Sequence, residues 1–226
     1  MLRAQGRRRW QSPGSGHRAA HVGALALLVR PLYIASEFIV AAATTGGYSF
    51  VSDSVSRLGE VGCSVAYCSP RHEVMNGSFI GFGLLLAAGA VLLSRSLGQW
   101  VTALLVVSGL SSVATGLAPF DQDAALHATA ATPLFVAQPV ALVVLGVRLR
   151  NERPRLARAL LAGGVVTAAA AVAFVLSADG AAAGAVERLA LWPVLVGLAA
   201  FAWTQLPVGH RQPAAAEGAA GRTAGT

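Results

Sequence analysis

The chain has 226 residues, of which 55% are hydrophobic and only 12% are charged, and its mean hydropathy is +0.61. This composition excludes an ordinary soluble domain and indicates a polytopic membrane protein. The formal net charge of +7 does not point to nucleic acid, because the basic residues lie in short segments between apolar runs. A nucleic-acid protein concentrates them on one folded face, so we expect no nucleic-acid partner.

Six apolar runs are long enough to cross the hydrocarbon core of a bilayer, which takes about 20 helical residues. These runs must be helical, because unpaired backbone groups are costly in lipid. The sequence therefore predicts an all-α fold, a bundle of six transmembrane helices over residues 20–206, with the lipid bilayer as its partner. The predicted helices cover residues 20–44, 77–93, 101–117, 126–147, 157–176 and 189–206.

Arginine is distributed unequally between the two sides of this bundle. Thirteen arginines fall on the side that carries both termini, and three fall on the other side. Basic flanks stay on the cytoplasmic side, so both termini are predicted to be cytoplasmic in a multi-pass protein of the plasma membrane. Segments 1–19 and 207–226 show no apolar period and are predicted to be disordered tails. The first apolar run is too long for a cleaved signal peptide, so we expect a retained helix.

The external loop, residues 45–76, is the longest polar interval between the runs. Within it, residues 52–59 are predicted to form a short helix capped by Ser or Asp, in which Asp53 and Arg57 make an i, i+4 ion pair. Cys63 and Cys68 would lie in an oxidising compartment, which favours a disulfide, although two independent thiols also fit the spacing. No second cysteine pair is present to complete a tetrahedral metal site.

Polar side chains precede the second and the fourth predicted helices, both on the external side. If the loop folds over the bundle, the two segments meet at one external mouth. The primary candidates for a polar site there are Asp53, Ser56, Asn76, Asp121 and His127. The secondary candidates are Glu37, His72, Glu73 and Asp123.

Several of these candidates also have purely structural interpretations. Asp121 or Asp123 suits a helix N-cap, and His127 suits a hydrogen-bonded residue at a helix end. Asp123 and His127 have a helical spacing that a metal could use, but no H-E-x-x-H motif or dense ligand cluster accompanies them. The sequence also lacks a Walker A loop and a G-x-S-x-G elbow. We therefore expect no metal and no cofactor.

Two charged residues, Arg30 and Glu37, lie within the first predicted helix. A charge near the middle of the bilayer costs about 2.5–3.5 kcal/mol on insertion scales, so both need an explanation. In one interpretation Arg30 reaches the cytoplasmic headgroups and a Ser or Thr of a neighbouring helix holds Glu37. In the other, Glu37 lines an aqueous cavity that opens to the outside.

Small residues and prolines give further expectations for the bundle. Small side chains at four-residue spacing let membrane helices approach closely, and prolines inside a helix predict kinks. The small residues are Gly77 and Gly81 in the second predicted helix and Ser108, Ser112 and Gly116 in the third. The kinks are predicted at Pro133 and Pro139 in the fourth helix and at Pro193 in the sixth.

A set of short motifs between residues 33 and 147 resembles the bacterial and archaeal membrane family catalogued as domain of unknown function 998. The motifs are Tyr48-Ser49, Ser56-x-Leu58-Gly59, Pro70, Asn76, Gly116-x-x-Pro119-x-Asp121 and His127. The resemblance implies a six-helix integral membrane protein with polar motifs before the second and fourth helices, and it brings no established activity. The family often has an acidic residue where this chain has Arg57, which gives weight to Ser56, Asn76, Asp121 and His127.

Two functional hypotheses follow. The first is a non-enzymatic membrane module that binds a lipid, a small molecule or a partner protein through the external mouth. The alternative is a membrane-embedded lipid hydrolase or transferase that uses Asp121 and His127, with Asp53 as a further candidate and a histidine as general base or metal ligand. A transporter would call for internal symmetry between the halves, and the sequence shows none. Neither an enzymatic reaction nor an oligomeric state is indicated by the sequence.

Overall fold

The computed structural model describes residues 13–176 and 180–206. Within these ranges every regular element is a helix, apart from one isolated β-bridge. Six helical segments are long and apolar enough to cross a membrane. The prediction of an all-α protein with six membrane-spanning helices is therefore confirmed. The tail predicted over 207–226 lies outside the described residues, as does the tail 1–19 up to residue 12.

The described part of the chain contains eight α-helices. The first span is made of two of them in succession, the other five spans are one helix each, and one short helix connects two spans. The helices are α1 (Pro13–Leu28), α2 (Leu32–Ala41), α3 (His72–Leu92), α4 (Ser94–Leu97), α5 (Gln99–Leu117), α6 (Ala124–Leu149), α7 (Pro154–Leu176) and α8 (Ala183–Trp203).

The first span differs from the single helix predicted over residues 20–44. A turn at residues 29–31 separates α1 from α2 and ends at Pro31. Proline has no backbone N–H to continue the helical ladder, so the break falls where that residue stands. The second span also begins earlier than predicted, because α3 starts at His72 and takes up part of the segment expected to be loop.

The spans pack in a closed arrangement. Helix α3 packs on α5, α5 on α6, α6 on α7 and α7 on α8, while α1 contacts both α3 and α8. A large apolar core fills the interior between them, with Leu27, Leu86, Leu105, Leu142 and Phe201 among its fully buried members. Many large apolar side chains face outward instead, which suits helices whose surroundings are lipid.

A hydroxyl group from α5 repairs the interruption that proline makes in α6. The Ser111 hydroxyl donates to the Ala130 carbonyl and accepts the N–H of Leu134 at 3.1 Å. These two backbone groups would bond to each other in an uninterrupted helix. The side chain thus stands in for one rung beside Pro133, and α6 continues through this proline and Pro139.

The closest approach between α3 and α5 is made by two glycines that the small-residue pattern did not single out. A Cβ added at Gly109 would lie 2.5 Å from the Gly83 carbonyl oxygen, and one added at Gly83 would lie 2.7 Å from the Gly109 carbonyl oxygen. Gly116 is also in close contact with α3, as predicted. By contrast, nothing lies within 4 Å of a Cβ built at Gly77 or Gly81, so their assignment to the helix interface was wrong.

This difference predicts opposite outcomes for two matched substitutions. Gly109→Leu forces α3 and α5 apart and should lower the free energy of unfolding by about 1–3 kcal/mol, the usual cost of overpacking. Gly81→Leu adds the same side chain in open space and should leave stability unchanged or raised. Unfolding of the purified protein in mixed detergent micelles measures both. Equal losses in the two variants would contradict the proposed helix contact.

Candidate functional site

The segment between α2 and α3 is fastened to the bundle by one buried guanidinium. Arg188 of α8 is only 4% exposed. Its Nη1 donates to the backbone carbonyls of Phe50, Asp53 and Gly184 at 3.0, 3.1 and 3.0 Å, and its Nη2 donates to the Tyr48 hydroxyl at 2.5 Å. Because the first two carbonyls belong to the loop, the guanidinium holds the loop against the start of α8.

The same guanidinium neutralises a carboxylate inside the first span. Arg188 Nε lies 3.0 Å from Oε2 of Glu37, which is completely buried, and the Trp192 indole N–H donates to the other oxygen at 3.0 Å. Of the interpretations of Glu37, support from a Ser or Thr was wrong, because an arginine and a tryptophan of α8 hold it. A buried ion pair persists only when further hydrogen bonds satisfy its remaining atoms, which is the case here.

Backbone contacts reinforce this attachment. The Ala185 N–H, in the first turn of α8, donates to the Val51 carbonyl at 2.9 Å. A Cβ at Gly184 would collide with the Asp53 carbonyl, so the loop approaches α8 as closely as a glycine permits. The Tyr48 hydroxyl donates to the Ser54 carbonyl at 2.9 Å. Burial raises the pKa of Tyr48 well above its usual value, despite the opposing effect of Arg188, so this hydroxyl stays protonated.

The short helix predicted within the loop is present in a different form. It is a 3₁₀ helix over Ser56–Gly59 whose N-cap residue is Val55, and the hydroxyl of Ser54 accepts the Arg57 N–H of its first turn at 3.3 Å. The Asp53 carboxylate, predicted as a possible cap, instead accepts the Ser49 N–H at 2.7 Å and pairs with Arg57 as expected. Leu58 is fully buried and anchors the turn in an apolar cluster beneath the loop.

The far part of the loop closes on itself and on the segment before α6. Cys63 and Cys68 form a disulfide. Asp121 accepts the backbone N–H groups of Val61 and Gly62 at 3.1 and 2.8 Å. Partial burial alone would raise the pKa of Asp121, but these N–H donors outweigh it and hold the pKa below its usual value. Asp121 therefore carries a negative charge that fixes the loop to the turn ahead of α6.

Beneath these two attachments, three side chains from distant parts of the chain form one hydrogen-bonded row. The Ser56 Oγ lies 2.9 Å from Nε2 of His127 and 3.3 Å from Oε1 of Glu187. The other Glu187 oxygen accepts the Val55 N–H at 2.5 Å. His127 and Glu187 are 6% and 3% exposed. The loop, α6 and α8 thus each contribute one polar group to this row, in which His127 and Glu187 are buried and Ser56 is partly buried.

The orientation of the imidazole follows from its second contact. His127 Nδ1 lies 2.6 Å from the Ala118 carbonyl, which can only accept, so this nitrogen carries a hydrogen. Ser56 has a single hydroxyl proton to share between a histidine and a carboxylate. All bonds in the row are made only when it holds one further proton, either on Glu187 or on Nε2 of His127. The three side chains of the row can therefore share one proton.

The row forms the polar end of a cavity of about 220 Å³. Its other walls are mostly apolar and come from the loop-proximal ends of α6 and α7, where the Phe135 and Phe174 rings lie 5.7 Å apart. The lining residues are Ser54, Ser56, Phe120, His127, Ala128, Ala131, Thr132, Phe135, Phe174, Val175 and Glu187.

The remaining candidates lie outside this row. Asp123 caps α6 by accepting the Leu126 N–H at 2.9 Å. The Asn76 amide donates to the Gly59 carbonyl at 2.9 Å, and His72 contacts the Ser69 carbonyl, so both brace the loop. Glu73 is exposed on α3. Among residues 13–176 and 180–206, no three His, Cys, Asp or Glu side chains are grouped as metal ligands.

Sequence reasoning missed Glu187, Arg188 and Trp192. It counted Arg188 as an external flanking charge and placed the start of the last helix at residue 189, whereas α8 begins at Ala183. The signal available was the adjacent pair Glu187-Arg188 at the edge of an apolar run. Two neighbouring charges there require partners, and Glu37 was the unpaired charge in another span.

Arg188→Met should be among the most destabilising single substitutions. It leaves the buried Glu37 carboxylate unpaired and releases the loop, and breaking a buried ion pair costs about 3–5 kcal/mol. Arg57→Met removes the half-exposed pair with Asp53 and should cost about 1 kcal/mol or less. Unfolding of the purified proteins in detergent measures the stability of both variants. The double variant that combines Glu37→Gln with Arg188→Met should recover part of the stability lost in Arg188→Met. Equal costs for Arg188→Met and Arg57→Met would contradict the anchoring function of Arg188.

Comparison with known proteins agrees with the observed architecture. The profile of the family described as "Protein of unknown function (DUF998)" matches residues 21–204, from α1 through α8. No curated protein and no solved structure matches the chain. The match covers all six spans and the loop that Arg188 fastens, and the chain belongs to the DUF998 family of multi-pass membrane proteins.

Proposed function

We propose that the protein binds an amphiphilic molecule, such as a lipid or a fatty acyl compound, in the cavity beneath the loop. The observation that carries this proposal is the form of the cavity, which has an apolar wall of aromatic and small residues and a single polar end at Ser56, His127 and Glu187. A ligand with one polar group and one apolar chain matches that division.

The size of the cavity further limits which ligands can bind in it. At about 220 Å³ it is smaller than the ~300–1,000 Å³ typical of sites that enclose a whole drug-sized ligand. It suits a headgroup or the polar end of one chain, with the rest of the molecule lying along α6 and α7 in the bilayer. Exposed apolar residues on those helices, Val136 and Val175 among them, continue the apolar surface outward.

The polar end offers both a donor and an acceptor to a ligand. Because one proton is shared along the row, the Ser56 hydroxyl can accept from the ligand while it donates to Glu187, or donate when Glu187 is protonated. An alcohol or an amide N–H would therefore find a partner in the first state, and the carbonyl of an ester or an amide would find one in the second. The binding proposal includes Ser56 and His127 from the sequence-based set. It assigns Asp53, Asn76 and Asp121 to holding the loop that covers the cavity.

A second candidate function, acyl hydrolysis or transfer, is favoured by the Ser56–His127 contact. The Ser56 hydroxyl lies 2.9 Å from one imidazole nitrogen of His127, and a backbone carbonyl fixes the other nitrogen of the ring. This is the arrangement of an activated serine nucleophile. In such a reaction Nε2 takes the hydroxyl proton as Oγ attacks the ester carbonyl carbon. The alkoxide then leaves with that proton, and water releases the acyl group from Ser56.

We also propose that the protein lies in the plasma membrane with both termini in the cytoplasm, so that the loop and the cavity face the outside. The support is the distribution of arginine. Arg188 was counted among the external arginines, yet it is buried and paired, so Arg57 and Arg71 alone represent the external loops in the described part of the chain. Without Arg188, the difference in the number of arginines between the two sides is larger than the sequence count indicated.

Filling the cavity should block ligand binding without unfolding the protein. Ala128 is exposed and lines the cavity, and Ala128→Phe should reduce crosslinking of a photoactivatable, alkyne-tagged palmitic acid at least fivefold in membranes. Ala168→Phe places the same ring on the lipid-facing groove of α7 and should leave crosslinking unchanged. Mass spectrometry should locate the crosslinks near Phe135 or Phe174. Equal labelling of the two variants would refute the proposed site.

The hydrolase candidate makes a separate prediction. A fluorophosphonate probe should label Ser56 of the purified protein, and labelling should be lost in Ser56→Ala and reduced at least tenfold in His127→Gln. Ser52→Ala, an exposed serine of the same loop, should be labelled like the parent protein. If the folded parent protein remains unlabelled, the nucleophile assignment is wrong and the binding proposal stands alone.

The orientation can be tested by labelling single cysteines in intact cells. With Cys63 and Cys68 replaced by Ser, a cysteine at the fully exposed Val65 should react with a membrane-impermeant maleimide. A cysteine at the exposed Arg95, at the other end of the bundle, should react only after the cells are lysed. The opposite pattern would reverse the assigned orientation.

A further inference from the structure

A second buried cation, Arg30, lies within the first span and has no counter-ion in the described part of the chain. The side chain is 4% exposed, so the interpretation that it reaches the headgroups was wrong. Its Nε and Nη1 atoms are buried and make no hydrogen bond within residues 13–176 and 180–206. The carboxylate seven residues later, Glu37, is already paired with Arg188.

Arg30 lines a gap of about 30 Å³ between the helices. Tyr33, whose hydroxyl is also buried and unpartnered among the described residues, lines the same gap. The Gln138 amide reaches it from α6 and uses one N–H on the Ser108 hydroxyl at 2.8 Å, which leaves a second N–H. The remaining walls are Phe79, Phe82, Ser112, Leu134, Leu191 and Leu195.

The polar groups that face this gap are chiefly donors. Arg30 supplies two unpartnered nitrogens, which together carry three N–H groups and cannot accept, Gln138 has a spare N–H, and Tyr33 can donate its hydroxyl proton. Ser112 has already committed its proton to the Phe79 carbonyl at 2.8 Å. A set of converging donors around a fixed positive charge selects an anion and repels a cation.

The charge of Arg30 makes an anion necessary as well as possible. A buried cation without a partner is strongly destabilising, and most side chains escape this cost by losing their charge. Arginine does not have that option, because its guanidinium stays protonated in proteins. The compensating charge must therefore come from outside the described part of the chain.

We propose that this gap is a binding site for a single monatomic anion, of which chloride is the abundant representative. The volume is about twice the ~10–15 Å³ that one water needs, so it accommodates one larger monatomic ion. Phosphate or a lipid headgroup, with several heavy atoms, does not fit. The site is distinct from the cavity at Ser56 and His127, since the two share no lining residue.

Binding of radioactive chloride (³⁶Cl⁻) to the purified full-length protein tests the proposal. We expect saturable binding of one ion per chain, competed by bromide and not by gluconate at constant ionic strength. Arg30→Met should abolish it, while Arg95→Met, which removes an exposed arginine, should bind like the parent protein. Tyr33→Phe removes one donor to the anion and should weaken binding about tenfold.

Three results would overturn the site. The first is the absence of saturable chloride binding to folded protein. The second is undiminished binding by Arg30→Met or, if that variant does not fold, by Tyr33→Phe. The third is a bromide-soaked crystal without anomalous density beside Arg30, which would assign the gap to water molecules.

Discussion

The arrangement of the half of this protein that carries the loop between α2 and α3 depends on the hydrogen-bond acceptors that one buried guanidinium requires. Arg188 satisfies its donors with a carboxylate from the first span, a phenol and two carbonyls from the loop, and a carbonyl from its own helix. A charge buried this deeply is tolerated only when such a set is complete. The first half of the loop is consequently held on α8 chiefly by a single side chain.

That constraint also positions the candidate site. Arg188 holds the first half of the loop on α8, and Asp121 holds the second half on the turn ahead of α6. The 3₁₀ turn that starts at Ser56 lies between the two attachments, so its hydroxyl is placed between the imidazole of α6 and the carboxylate of α8. His127 and Glu187 both lie on helices of the bundle and not on loops. A selective polar site requires side chains that are held rigidly in this way.

Much of the architecture was predictable, because hydropathy and helix length are strongly constrained in lipid. Six spans and the polar segments at their ends follow from the pattern of apolar runs. The break at Pro31 was missed because apolar residues continue on both sides of Arg30 and Pro31, long enough to be read as one span. Gly83 and Gly109 were missed because the small-residue pattern was applied to Gly77 and Gly81, which lie on a face that turned outward. The spacing of small residues shows which of them share one face of a helix. It does not show which neighbouring helix that face contacts.

The candidate site was predictable only in part, for a related reason. Ser56 and His127 were accessible to sequence reasoning because both lie in polar segments that adjoin a span. Glu187 and Arg188 lie in the first turns of an apolar helix. The sequence alone does not show which distant carboxylate or carbonyl they contact. Their partners lie between 131 and 151 residues away in the sequence. Pairings of that separation are specified by the packed bundle and not by local pattern.

The distance between Glu37 and Arg188 along the chain has a consequence for biosynthesis. A membrane protein enters the bilayer from its N-terminus onward, so the acidic group arrives with the first span and its basic partner arrives with the last. During the interval the loop carbonyls that will receive the guanidinium have no ligand, and the carboxyl group of Glu37 lacks its positively charged partner. Completion of the sixth span is therefore the event that allows the loop to be fastened to the bundle. A ribosome that stalls before α8 would release a product which cellular quality control can distinguish from the finished protein.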